Sequence, residues 1–284
     1  MEKCNSMNRS LFFEYLDSVT NFLKRDYEDK LVSIILFGSL VNMDERITIS
    51  TDADLLVILH DSCTSNDFQR IKSRLIQLEF NLLPNVNKES KFIRGLQIAT
   101  GMFCNFFICR FSDFKKRNFS KVFSVNSFIG AFLAPQNSVW LSLYRQHRVL
   151  CGKNVFQDWK TLPIISNYDI IRSFLMNWLL ATGALFIFPF NPQMAKFSME
   201  AMKWSLFTWK NTFFLTSISL TQVVSIYLNQ ASGMEQRALH DFVEYRKYKR
   251  IGKFFPVLAW IFVFLLHQSI FDSRVGRFLE FSET

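Results

Sequence analysis

A chain of 284 residues holds one large domain or two ordinary ones, and a hydrophobic share of 49% excludes a chain that stays unfolded. The net charge of +9 suits polyanionic partners such as nucleoside triphosphates, RNA or an acidic membrane surface, and equally a plain basic exterior. The cysteines Cys4, Cys63, Cys104, Cys109 and Cys151 are odd in number and lack a Cys-x-x-Cys spacing, which excludes a disulfide framework and a zinc cluster and fits reduced thiols in a cytoplasmic protein.

The start, MEKCNSMNRS, lacks the apolar core of a signal peptide. Residues 8–29 then place Leu11, Phe12, Tyr15, Leu16, Val19, Phe22 and Leu23 at helical spacing, which predicts an amphipathic helix bracing a sheet. Leu31–Phe37 is an apolar, strand-like run that breaks at Gly38-Ser39. A glycine lets the backbone pass close to a phosphate. Ser39 suits the start of a short helix, whose free N–H groups and positive dipole end draw anions. After the spacer Leu40–Thr51, a second strand-like run carries Asp52 and Asp54 into Leu55–Leu59. Side chains two apart on a strand share a face, so both carboxylates project together and can share a divalent cation. Two hard carboxylates plus substrate phosphates suit Mg²⁺. His60, at the strand end, reads as a surface residue.

The ordered set Phe37-Gly38-Ser39, spacer, Asp52-Ala53-Asp54 resembles the signature of the polymerase-β-like nucleotidyltransferase superfamily, of the antibiotic and minimal type. The likeness covers residues 30–60 well and the rest loosely. It implies an α+β fold: a small mixed-sheet nucleotidyltransferase domain over 1–153, then an all-helical substrate-binding or partner domain over 168–284. It implies transfer of a nucleoside monophosphate from a nucleoside triphosphate to an acceptor hydroxyl, with pyrophosphate released. Asp52 and Asp54 are then the catalytic residues and hold Mg²⁺ or Mn²⁺, while Gly38 and Ser39 hold the phosphates. The competing reading is a β-α-β piece whose acids face solvent.

Residues 66–83 form a further helical pattern, with Phe68, Ile71, Leu75, Ile76 and Leu78 apolar and Pro84-Asn85 as its stop. Strands are expected over 91–99 and 102–111, around Gly101. The superfamily often places a third carboxylate in this region, as general base or metal ligand. Here no Asp or Glu occurs between Lys91 and Ser112. Asn105 is nearest in character; its oxygen can ligate, but an amide is a poor base. Asp113, just past the strand, is the substitute. The missing acid supports an alternative of another class: a catalytically impaired relative serving as a nucleotide-sensing or protein-binding module. Arg110, Lys115, Lys116, Arg117 and Lys121 form a basic stretch, for a triphosphate or nucleic acid or simply for water. A helix over Ser138–Arg145 and a short strand from Arg148 follow. The strand runs into Gly152-Lys153, which resembles the end of the catalytic domain in antibiotic-type transferases. Residues 154–167 read as a linker.

From Tyr168 onward the pattern is helical, with segments near 168–188, 193–215, 219–230, 234–251 and 256–270. The segment Lys196–Leu206 resembles the helical partner domain of kanamycin-type transferases. Glu200, Lys203 and Trp204 fall within one turn. Lys203 is read either as a phosphate ligand beside a stacking Trp204, or as the partner of Glu200 beside a core tryptophan. Tyr245–Lys253 is the densest basic and aromatic cluster, for single-stranded nucleic acid or as a helix's basic last turn stopped by Gly252. A polymerising relative acting on RNA or nucleotides rests on such clusters alone. Phe174–Phe190 and Phe254–Leu266 are apolar but shorter than the ~20 residues a membrane span requires, and read as buried core helices, with no transmembrane segment. The acceptor stays open among small molecule, protein and RNA.

Overall fold

The computed structural model describes residues 2–38, 41, 54–83, 105–214, 218–248, 250 and 252–282, with side chains described from residue 10 to 273. The chain forms two compact units: Met1–Ala131 with Gln146–Thr161, and Phe132–Arg145 with Leu162–Thr284.

The first unit is built on a mixed sheet. Helix α1 (Glu2–Tyr27) leads through one tight turn into β1 (Leu31–Phe37). Strands β2 (Asp54–Leu59), β3 (Phe106–Arg110) and β4 (His147–Gly152) complete the sheet in the order β3-β2-β1-β4. β1 pairs antiparallel with both β2 and β4, while β2 and β3 run parallel. Helix α2 (Ser65–Leu82) lies between β2 and β3 in sequence and forms the described helical part of their connection. Alternation decides the packing. Ile34 and Leu36 of β1, with Leu55, Val57 and Leu59 of β2, meet Tyr15, Val19 and Leu23 of α1 and Ile71 and Leu75 of α2 in one core. The opposite face carries Phe107, whose ring meets Phe37 at 6.1 Å and Phe123 at 5.2 Å. Short helical turns at Phe111–Lys115, Phe119–Val122 and Ser127–Phe132 follow β3. The ends are pinned by chemistry legible in the chain. Thr64 and Asp67 form a capping box at the start of α2, and Lys30 Nζ lies 3.0 Å from both oxygens of Asp67.

The second unit is helical: α3 (Gln136–Arg145), α4 (Asn167–Ile187), α5 (Ala195–Phe213), α6 (Leu220–Leu228), α7 (Gly233–Tyr248) and α8 (Phe255–Ser282). Its core gathers Met199, Met202, Leu206 and Trp209 of α5 with Val223 and Tyr227 of α6, Leu239 and Phe242 of α7, and Phe262 and Leu266 of α8. Helix α3 precedes β4 in the chain yet belongs here. Leu141 enters this core, and Asn211 Nδ2 on α5 donates to Ser138 O at 3.2 Å and Ser142 Oγ at 2.7 Å. Within the stretch read as a linker, Val155 and Phe156 are buried in a tight turn, and Ser166 caps α4 through a box with Asp169.

The length argument against membrane-spanning helices does not hold. The apolar segments extend through polar caps and C-terminal turns into helices of 21 and 28 residues, both long and apolar enough to cross a membrane by length and composition. Nor are they fully enclosed: 33% of the apolar window of α4 is buried, and 50% of that of α8.

Candidate active site

The register sets Phe37 opposite Asp54, so the end of β1 lies against the start of β2. The chain then turns at Gly38, with φ +80°, and Val41 N–H donates to Gly38 O at 3.4 Å. A side chain at residue 38 fits only if the Asp54 carboxylate shifts. Its Cβ would stand 3.2 Å from Cγ of Asp54 and overlap Oδ2. Glycine is thus required twice, for a left-handed backbone and for contact with a carboxylate. Ser39 and Asp52 lie outside the described residues, so the shared face predicted for Asp52 and Asp54 does too.

The third strand brings its amide to the same corner. Leu55 N–H donates to Asn105 O at 2.8 Å, and Leu55 pairs with Phe106, which sets Asn105 beside Asp54. Asn105 Nδ2 in turn donates to Glu79 Oε1, on α2. Tyr15, fully buried on α1, joins them electrostatically: burial pushes its phenol far above the ordinary tyrosine range, and the charges of Glu79 and Asp54 push the same way. One corner of the sheet therefore collects the carboxylates Asp54 and Glu79 with the carboxamide of Asn105, over a buried phenol.

Glu79 was missed by sequence reasoning, which looked for the third acid on a strand. A signal existed: Ile71, Leu75 and Glu79 recur every fourth residue, so the acid continues the buried stripe of α2. Asp113, the substitute read from sequence, sits in a short helix with Lys121 Nζ 3.3 Å away. His60 is exposed, its N–H donating to Lys30 O.

The two arginines of the basic stretch are engaged locally. Arg110 donates to Asp61 O at 2.6 Å and lies over Phe68. Arg117 covers the Trp159 ring at 4.0 Å and donates to Thr161 O. In the helical unit Lys203 Nζ lies 2.5 Å from Glu200 Oε2, with Glu200 nearly sealed from water, and 5.9 Å from the Trp204 ring.

Oxygen donors of this kind are what Mg²⁺ takes. Among the described residues no group of three or more His, Cys, Asp or Glu side chains could hold a metal ion; the predicted pair needs Asp52 beside Asp54.

Compared with family models and with curated proteins, the sequence matches none. Among solved structures, the chain is similar to spectinomycin adenyltransferase AAD(9) from Enterococcus faecialis, whose crystal structure holds ATP and spectinomycin. The TM-score is 0.55 at 11% sequence identity, over 90% of this chain and 98% of that one. At that identity the likeness establishes the fold: a nucleotidyltransferase-like α+β chain with a mixed sheet followed by helices.

Proposed function

We propose that this protein transfers a nucleoside monophosphate from a nucleoside triphosphate to an acceptor hydroxyl. The single observation that carries the reading is the contact of Gly38 with the Asp54 carboxylate: a side-chain-free bend over a hard oxygen ligand. Gly38 and Ser39 receive the phosphates, and Asp52 and Asp54 hold Mg²⁺ or Mn²⁺. When bound, the metal neutralises charge on the phosphate oxygens as the leaving group departs. The acceptor oxygen bonds to the α-phosphorus, the bond from that phosphorus to the β-phosphate's bridging oxygen breaks, and pyrophosphate leaves. The acceptor's proton passes to a base, and Glu79, beside Asn105, is the carboxylate we assign to that task. The crystal structure of the adenyltransferase of similar fold holds ATP and spectinomycin, which favours a nucleotide donor and a small-molecule acceptor here.

The test is pyrophosphate release from each of the four nucleoside triphosphates with Mg²⁺ or Mn²⁺, across an acceptor screen. Asp54→Asn should abolish turnover by a factor of about 10³ or more, with the urea midpoint held near that of the wild type. Full turnover in Asp54→Asn would remove this site from the reaction. Asn105 at the third-acid position favours a second reading, a binding module without chemistry; nucleotide binding with no pyrophosphate in any condition selects it.

A further inference from the structure

Helices α4 and α8 pack antiparallel. His267 Nε2 meets Ser173 Oγ at 3.3 Å, the rings of Trp178 and Trp260 lie 5.9 Å apart, and Trp260 Nε1 donates to Thr182 Oγ1 at 3.0 Å. Further along α4 and further back along α8, both lead to the same end of the pair. Phe186 is eight residues beyond Trp178, about 12 Å at the helical rise, and Phe254 is six residues before Trp260, about 9 Å. At this end large apolar side chains stand in the open: Phe186 is 69% exposed, Phe190 89%, Phe254 72% and Val257 40%. The open face continues up α4 through Leu179. Monomeric soluble proteins rarely leave such a face uncovered without use.

The charge around it identifies the occupant. Tyr245 at the end of α7 stacks on Phe255 at 5.7 Å, so the close of α7 lies against the opening of α8. Lys247, Arg250 and Lys253 are exposed there, against the acids Asp241 and Glu244 of α7. A second copy of this chain would bring one net charge of +9 against another. An anionic surface meets the cations instead, while aromatics suit the boundary between headgroups and acyl chains. The opposite side of α4 keeps Ser173 and Asn177 buried within the unit, and α8 keeps His267 buried, so these polar side chains turn inward while the exposed apolar ones turn out.

We propose that the C-terminal end of α4 and the N-terminal end of α8 form a docking surface for an anionic lipid bilayer. Phe186, Phe190 and Phe254 enter the acyl boundary, and Lys247, Arg250 and Lys253 meet the headgroup phosphates. This surface is independent of the nucleotide reaction.

The test is co-sedimentation of the full chain with phosphatidylcholine vesicles, with and without phosphatidylglycerol. Binding is expected only with phosphatidylglycerol and falls as salt rises. Phe186→Ser with Phe254→Ser should weaken it by about tenfold or more, since exposed side chains are exchanged without touching the core. Should that variant fail to fold, Lys253→Glu carries the test, with a loss of about fivefold or more. Three results overturn the proposal: no binding to anionic vesicles, undiminished binding by a folded variant, or a light-scattering dimer that the phenylalanine changes abolish while vesicles stay unbound.

Discussion

Replacing Gly38 with alanine tests the geometry on which the site depends. An L side chain at φ +80° carries about 1–2 kcal/mol of backbone strain. The stiffer unfolded chain offsets about 0.4–1 kcal/mol of that. The new methyl also meets Asp54, at 3.2 Å from Cγ and closer to Oδ2, while Cβ of Asp54 at 3.5 Å is an ordinary neighbour. The carboxylate must therefore swing off its rotamer, at about 0.5–1.5 kcal/mol. Gly38→Ala should cost roughly 2 kcal/mol in all. Only the last contribution depends on the carboxylate. In an Asp54→Ala background the strain and the unfolded-state effect remain, but the collision does not. Urea denaturation of the four proteins of this cycle should give a coupling of about 1 kcal/mol, with Gly38→Ala milder when Asp54 is already alanine. Costs that add to within about 0.4 kcal/mol would refute the argument, because independent sites behave that way.

Lys203→Met should destabilise the helical unit by about 2 kcal/mol, because it strands the nearly sealed Glu200, and a urea midpoint equal to wild type would contradict the pairing. His267, with Nδ1 2.8 Å from Val263 O, has its pKa pushed down to about 4 by burial. The unfolded chain takes the proton first, near pH 6.5, so stability should be full above that pH and fall by on the order of 3 kcal/mol as pH drops to 4. His267→Asn should lose this pH dependence, and an unchanged urea-midpoint profile between pH 7 and pH 4 would count against it. Glu79→Gln should lower the turnover rate by about 10²–10⁴ with the substrate KM nearly unchanged; a matched rate and pH profile would take the base assignment from Glu79.

The described strands were legible because they are short apolar runs between sharp punctuation, while the strand expected over 91–99 lies outside the described residues. Lys30 and Gly38 bracket β1, and the run read as Leu31–Phe37 is the observed strand. Helices α4 to α7 follow their periodicity to within a few residues, α8 runs twelve residues past the expected end at 270, and Ser166 with Asp169 writes the start of α4 into the chain. Two things were not legible. Periodicity says that a helix has an apolar face, not which unit receives it, so α3 reads as part of the segment it follows rather than of the core Leu141 enters. An apolar surface all round likewise reads as burial, and says nothing of Phe186 and Phe190 standing in the open.

The corner itself shows why a motif search finds half of such a site. Gly38 and Asp54 are close because neighbouring strands pair, and strand pairing leaves a pattern in sequence. Glu79 reaches Asn105 from a helix, and the intervening chain erases any fixed spacing. The amide at residue 105 fits this partner. A carboxylate there would face Glu79 and Asp54 as a third negative charge and could donate nothing, whereas Asn105 donates a hydrogen bond to Glu79 and adds no charge. On the proposed reading the corner keeps the negative charge that a divalent cation needs, with the third carboxylate supplied by the helix instead of the strand.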